Sequence, residues 1–148
     1  MTEELDPTDW LILAELQREG RISLSELGRR VNLSASATTE RVRRLEEKGV
    51  ITGYRADIDL AKVGFTVLAV VRLKYPGNQH QPLHRLLEER LEILECLRIT
   101  GEDCYTLKVA ATSMAHLEQL VNELTELGTT TTNLVYNQTL PYGGLRTP

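Results

Sequence analysis

The chain is poor in cysteine, in aromatics and in long apolar runs, and it has no excess of positive charge. Cys96 and Cys104 are its only cysteines, and they form no C-x-x-C pair. That excludes a disulfide-stapled miniprotein and makes free thiols in a cytoplasmic protein the expectation. No apolar run reaches the ~18 residues of a membrane span. The longest near-apolar stretch, Val63 to Val71, fits one buried strand. Met1 to Leu5 has neither the basic n-region nor the apolar h-region of a secretory signal. His80 and His84 stand at i, i+4 spacing, but Pro82 marks a helix start between them, and a metal site needs clustered ligands. There is no Ser/His/Asp set and no glycine-rich phosphate loop, so no catalytic residues, no metal, no cofactor and no enzyme activity are expected. The formal net charge is −4 and the pI about 5.4. Polyanion binders are usually basic, so the average alone argues against a nucleic-acid partner.

What is present divides into two halves of different periodicity. The 148 residues, 41% hydrophobic and 26% charged, suit one ordinary domain or two small ones. Residues 5–51 read as three short helices. Asp6 is placed to cap the first, Pro7 suits its first position, Asp9 lies in the first turn, and Leu5 and Trp10 occupy the two staple positions. Trp10, Leu13, Ala14 and Leu16 then recur at helical spacing until Gly20. Ser23-Leu24-Ser25-Glu26 reads as a capping box for a second helix through Val31. Asn32 is a left-handed stop, Ser34 caps a third helix, and Gly49 ends it.

Two helices joined by Val31-Asn32-Leu33-Ser34 form a helix-turn-helix pattern. Phased at 100° per residue, the third helix puts Ala35, Thr38, Val42 and Leu45 on a packing face. The opposite face carries Ser36, Glu40 and Arg43, with Thr39 and Arg44 at its edges. Such side chains suit base edges and phosphates, and Ser34 sits where free backbone N–H groups attract phosphate. Residues 18–55 hold nine bases against five acids, a local charge of +4, so the remaining residues carry −8. Eight of the nine bases are Arg, which suits bidentate phosphate or guanine contact. A solvated, salt-bridged helix face would show the same charges. The helix-turn-helix pattern favours double-stranded DNA.

After a connector at 53–62 with a short strand, the pattern changes. Phe65 to Leu73 is a strand, Gln81 to Arg90 a helix, Ile93 to Thr100 and Cys104 to Ala111 strands around Gly101. Leu117, Leu120, Val121, Leu124 and Leu127 form a helical stripe, and Thr130 to Leu140 is a last strand. The fold expected is α+β: an N-terminal helix-turn-helix domain (1–52), then a C-terminal ferredoxin-like βαββαβ domain (63–148) with one helical layer. The open face of such a sheet predicts a homodimer. With the turn centred near Glu102, Cys96 lies opposite Lys108, not Cys104, so no disulfide is expected. Pro141 to Gly144 reads as terminal coil.

Over nearly its whole length the chain resembles the Lrp/AsnC (leucine-responsive, feast/famine) transcription regulators. The matching stretches are Leu5-Asp6 through Asp9 with Ile12-Leu13, Gly20-Arg21 with Glu26-Leu27, Leu33-Ser34 with Arg41-Val42 and Arg44-Leu45-Glu46, and Gly49-Val50-Ile51 with Gly53-Tyr54. Later come Val63-Gly64, Glu95-Cys96, and Thr100-Gly101 with Tyr105. The resemblance implies dimers that assemble into tetramers or octamers. It also implies an amino acid or related small-molecule effector, bound between dimers near Gly101 by residues such as Thr100, Gly101, Asp103, Cys104 and Tyr105. In the family that turn often reads Gly, two variable residues, Asp, then an aromatic. Here Cys104 stands at the Asp position and Asp103 one residue earlier. Either Asp103 substitutes, or the pocket has different chemistry, or it no longer takes an amino acid. Thr130 and Thr132 share a strand face and resemble the family's ligand-side positions, although Thr also simply favours strands.

The expected function is therefore a cytoplasmic, nucleoid-associated, sequence-specific DNA-binding regulator, modulated by a small molecule. An effector-independent DNA-wrapping protein is the alternative. The DNA contacts expected are Ser34, Ser36, Thr39, Glu40, Arg41, Arg43 and Arg44, with Glu40 placed to accept from a cytosine amino group.

Overall fold

A computed structural model of the chain describes residues 5–78, 80–102 and 104–145. The chain divides into two compact units. One combines the N-terminal stretch to Asp57 with the segment from Leu140; the other is Ile58–Thr139.

The first unit holds α1 (Pro7–Arg18), α2 (Leu24–Arg30) and α3 (Ala35–Glu47). Each start is capped by the residue the sequence points to. The Asp9 backbone N–H donates to Asp6 Oδ1 at 2.8 Å, and the Asp6 N–H donates back to Asp9 Oδ2 at 3.3 Å. This reciprocal box satisfies two donors that a helix start leaves orphaned. Ser23 accepts from the Glu26 N–H at 3.2 Å, but the box expected there is half formed, because the Glu26 carboxylate is taken by Arg29 and Arg30. Asn32 adopts φ +58°, the left-handed stop that turns α2 into α3.

The turn is tight because of Gly28. A Cβ there would lie 2.8 Å from both the Leu33 carbonyl oxygen and Thr38 Oγ1, so only glycine lets α2 approach this closely. Ile12, Leu27, Val31, Val42 and Leu45 form the core, flanked by Leu5, Leu13, Leu16, Ile22, Leu33, Val50 and Ile51. Burying each large aliphatic contributes about 1.5–3 kcal/mol. Ala35, expected on the packing face with Thr38, Val42 and Leu45, is exposed. It is the first residue of α3.

The strand expected at 53–62 is absent. Residues 52–59 join no ladder, and Ala61–Val63 is a 3-10 turn ended by Gly64 at φ +94°. A strand needs a hydrogen-bonding partner, and none of the sheet's strands pairs with this segment. The segment from Leu140 has no regular structure either, yet it is tied to α1. The Gln17 side-chain amide donates to the Leu145 carbonyl at 2.9 Å and accepts from the Leu145 N–H at 2.7 Å. Gly144 beside it adopts φ +78°, where an added Cβ would strike the Gln17 side chain. The Arg55 guanidinium lies over the Tyr142 ring, 5.6 Å from its centroid.

The second unit holds β1 (Val67–Lys74), α4 (Gln81–Glu89), β2 (Ile93–Arg98), β3 (Tyr105–Ala111), α5 (Met114–Leu127) and β4 (Thr129–Leu134). The strand order is β2-β3-β1-β4, and all three pairings are antiparallel. This is the split βαββαβ arrangement. Alternation sends Ala69, Val71 and Leu73 of β1 and Tyr105, Leu107 and Val109 of β3 to the core, with Leu83, Leu117, Leu120 and Leu124 from the helices. The other face of the sheet carries Arg72 and Lys74 beside Leu68, Val70, Thr106, Lys108 and Leu97.

Several strand limits differ from expectation, β2 stopping at Arg98 and β3 starting at Tyr105 among them. β1 begins at Val67, and β4 stops at Leu134 after its last pairing with Ala69. Cys96 lies opposite Leu107, one residue from the expected Lys108, because the pairing runs up to Arg98 opposite Tyr105 and so centres the connection between Gly101 and Glu102 rather than on Glu102. Both thiols are free, and burial raises the Cys96 pKa.

Candidate functional site

The sequence places the expected DNA contacts on α3 and its N-cap, and the structure exposes most of them together. Ser36, Thr39, Glu40, Arg43 and Arg44 are all exposed, opposite buried Thr38, Val42 and Leu45. Ser34 caps the helix through the Ala37 N–H at 3.2 Å and lies 3.2 Å, Oγ to Oγ, from Ser36. Thr38 anchors the same turn from inside, its hydroxyl donating to the Ser34 carbonyl at 2.8 Å. The Thr39 hydroxyl donates to the Ala35 carbonyl at 2.8 Å and turns its remaining surface outward.

The arginines are not bare cations. Arg43 grips Glu40 with two donors, Nη2 to Oε1 at 2.6 Å and Nε to Oε2 at 3.3 Å, and Glu47 through Nη1 at 2.5 Å. That guanidinium holds the Glu40 carboxyl below its ordinary range. Arg44 Nη2 lies 3.2 Å from each Asp9 oxygen. Arg41 departs from the expectation of a phosphate anchor. Its Nη1 donates to Asp6 Oδ2 at 2.6 Å and Asp9 Oδ1 at 2.8 Å, so its head is turned toward the start of α1 and away from the open face. The two acids sit more than thirty residues away in sequence, beyond the reach of a periodicity argument. Arg18, Arg29 and Arg30 are also paired with carboxylates. The positive stretch is thus largely neutralised within its own unit.

A groove of about 340 Å³ runs along one edge of α3, lined by Leu16, Ile22, Leu24, Val42, Arg43 and Tyr54 among others. The Tyr54 hydroxyl donates to Glu46 Oε1 at 2.8 Å. Burial, helped by that carboxylate, pushes the phenol up to about 12.

The expected effector residues fall in two places. Thr100, Gly101, Cys104 and Tyr105 sit together at the β2–β3 turn, with Gly101 at φ +108°, a conformation that favours glycine. Asp103 lies outside the described residues. Thr130 and Thr132 lie on β4, separated from β3 by β1. Register still relates them. Leu73 pairs with Tyr105 on one side and Thr130 on the other, so the two share a row on the core-facing side of the sheet. Thr130 is used locally, its hydroxyl 2.9 Å from that of Thr125 on α5.

Beside the turn stands a cluster that sequence reading missed. The Tyr105 hydroxyl lies 2.9 Å from His80 Nδ1, and the rings of Tyr75, His80 and Tyr105 pack with centroids 5.4 to 6.3 Å apart. The Cys104 thiol points at the Tyr75 carbonyl at 3.7 Å. The signal for Tyr75 was present, since it continues the inward alternation of Val71 and Leu73. The sequence pattern offers His80 only the i, i+4 pairing with His84. No cluster of three or more metal-ligating side chains occurs among the described residues, and no helix among them is long and apolar enough to cross a membrane.

Known proteins match both units. Residues 5–52 match the model for winged helix-turn-helix DNA-binding domains, and residues 68–145 match the Lrp/AsnC ligand binding domain. The HTH-type transcriptional regulator LrpC of Bacillus subtilis is 33% identical over 135 residues, covering 91% of this chain and 94% of LrpC. The solved structure of B. subtilis LrpC superposes with a TM-score of 0.90 at 31% identity, over 95% of this chain and 100% of that one. A transcriptional regulator from Neisseria meningitidis, solved as its L-Met complex, superposes with a TM-score of 0.90 at 28% identity over 97% of both chains. The chain therefore belongs to the Lrp/AsnC family of DNA-binding transcription regulators, with an N-terminal helix-turn-helix domain and a C-terminal ligand-binding domain.

Proposed function

We propose that this regulator recognises a specific, roughly palindromic DNA site through the open face of α3, and that a small molecule bound by its C-terminal domain tunes that recognition. The observation that carries the first half is the clustering of Ser36, Thr39, Glu40, Arg43 and Arg44 on one exposed face of a helix docked by a tight turn. Arg43 and Arg44 supply phosphate or guanine contacts, Ser36 and Thr39 touch base edges, and Glu40 accepts from a cytosine amino group. Ser34 presents the helix N-terminus to a phosphate. Arg41 supports the face from behind. Two copies joined through the open faces of their sheets give the two-fold symmetry that a palindrome mirrors, and further assembly yields tetramers or octamers. The organisation into residues 1–52, a connector and residues 63–148 assigns DNA to the first part and effector and assembly to the last.

The effector reading rests on the Gly101 turn with Thr100, Cys104 and Tyr105, and on the L-Met complex of the Neisseria relative. An amino acid is the ligand class proposed. By linkage, its effect on DNA affinity equals the effect of DNA on its own affinity.

Selection of duplexes from a randomised pool, followed by gel-shift titration, tests the DNA face. Arg43→Ala should weaken binding about tenfold or more, in line with loss of a charged contact worth ~1–3 kcal/mol. Glu40→Ala should relax the sequence choice. Wild-type behaviour of both variants would refute the assignment. Calorimetry against the twenty amino acids tests the effector. If none binds and the selected pool shows no consensus, the protein is an effector-independent DNA-wrapping protein instead.

A further inference from the structure

The arginines of α3 are held by two different kinds of acid. The partners of Arg43 are Glu40 and Glu47, which lie on α3 itself and whose side chains are 65% and 57% exposed. Exposed pairs of this kind are weak and exchange readily with phosphate. Arg44 is held by Asp9, which belongs to α1 and is 3% exposed. Asp9 Oδ1 receives both Arg41 Nη1 at 2.8 Å and Arg44 Nη2 at 3.2 Å, while Oδ2 receives Arg44 Nη2 at 3.2 Å and the Asp6 N–H at 3.3 Å. Together these bonds fix the Asp9 carboxylate. Water does not compete there as it does at Glu40, so the pair persists. The Arg44 side chain is nonetheless 44% exposed. It is a cation with a fixed guanidinium that solvent, and a nucleic acid, can still reach.

A mobile arginine finds a phosphate on any duplex. A fixed one makes a good contact only where the groove presents an acceptor at the right place and angle. We propose that Asp9 is a positioning residue for DNA discrimination: its buried carboxylate holds Arg44 back from indiscriminate phosphate contact and, through Arg41, fixes the setting of α3 against α1. The inference rests on the reading of α3 as the DNA-contacting helix.

The test uses the full chain, poly(dI·dC) as nonspecific duplex, and a duplex recovered by the wild-type protein from a randomised pool. Asp9→Asn removes the charge with little change of shape. Affinity for poly(dI·dC) should rise about threefold, the scale of one released surface cation. Its log-log salt dependence should steepen by about 0.9, one further phosphate neutralised. The ratio of selected to nonspecific affinity should fall at least threefold, by the same release. A purely structural aspartate would instead weaken both complexes alike, through a smaller folded fraction, at unchanged salt slope. That result would overturn the inference. In an Arg44→Gln background, Asp9→Asn should no longer steepen the slope; if it does, the released cation is not Arg44 and the inference fails.

If Asp9→Asn does not fold, the wild-type protein still decides. Its Arg44 guanidinium should show slowed rotation about Nε–Cζ in nitrogen-15 spectra of the free protein, and free rotation would refute the proposal. Failure of the underlying α3 reading looks different: Arg43→Ala would then bind both duplexes as the wild type does.

Discussion

Gly28→Ala offers the sharpest test of how α2 and α3 are docked, because two effects of opposite sign meet at one methyl group. Alanine in a helix interior is favoured over glycine by about 1 kcal/mol. Against that, the new Cβ would lie 2.8 Å from the Leu33 carbonyl oxygen and from Thr38 Oγ1, well inside ordinary contact. Neither neighbour gives way cheaply. The Leu33 oxygen is backbone of the turn, whose own N–H donates to the Gly28 carbonyl at 2.8 Å. Thr38 Oγ1 is fixed by its bond to the Ser34 carbonyl. Overpacking typically costs about 1–3 kcal/mol, and two rigid contacts put this site toward the upper end. The clash should win by about 1–2 kcal/mol, the difference between those terms. Trp10, the only tryptophan, lies in α1 and reports this unit alone. Urea titration followed by its fluorescence should show a lower midpoint at unchanged slope. A variant as stable as the wild type would refute the argument, since it would mean that the turn yields.

Further outcomes follow from the same geometry. Tyr105→Phe leaves His80 Nδ1 without its hydroxyl partner and should cost the second unit about 0.5–1.5 kcal/mol, read as faster hydrogen exchange of β3 amides with no change at Trp10. Arg41 holds the Asp6 carboxyl below its ordinary 3.8, and Arg43 holds Glu40 below 4.5. A carboxyl with a depressed folded-state pKa stabilises above its unfolded value and loses that contribution as pH falls through the folded one. The Trp10 melting midpoint should therefore hold steady above about pH 5 and fall in more acid solution. Asp6→Asn should flatten part of the fall, and an equally steep fall in that variant would contradict the Asp6–Arg41 assignment.

Local chemistry made most of the first unit legible. Asp6, Ser23 and Ser34 each cap the helix expected of them, and Asn32 takes the left-handed turn, because caps and turns depend on residues within three positions. Period-two and helical patterns likewise located the four strands and two α-helices of the sheet unit, but added a connector strand that does not form. What escaped depends on partners distant in sequence. From sequence Arg41 reads as a DNA contact, because nothing near it announces Asp6 and Asp9. The Cys96 register differs by one because the exact centre of the β2–β3 connection, half a residue before Glu102, has no local sign. The connector strand failed because alternation describes a strand's faces but does not supply its neighbour. The Gly101 turn is legible as a proposed effector site only by resemblance, whereas the His80 contact to Tyr105 emerges only when α4 is docked on the sheet.

The bond pair between Gln17 and Leu145 has a consequence for synthesis. The DNA-binding unit is discontinuous in sequence, with the sheet unit inserted between its helices and the segment from Leu140. Helices α1 to α3 carry their own core and can collapse as soon as they leave the ribosome, whereas the Gln17 amide must wait until the entire sheet unit has been translated. Until then, the Gln17 amide has only water to bond. Nascent chains halted just before Leu140 should thus carry a formed helix-turn-helix whose Gln17 amide is not yet held by the chain.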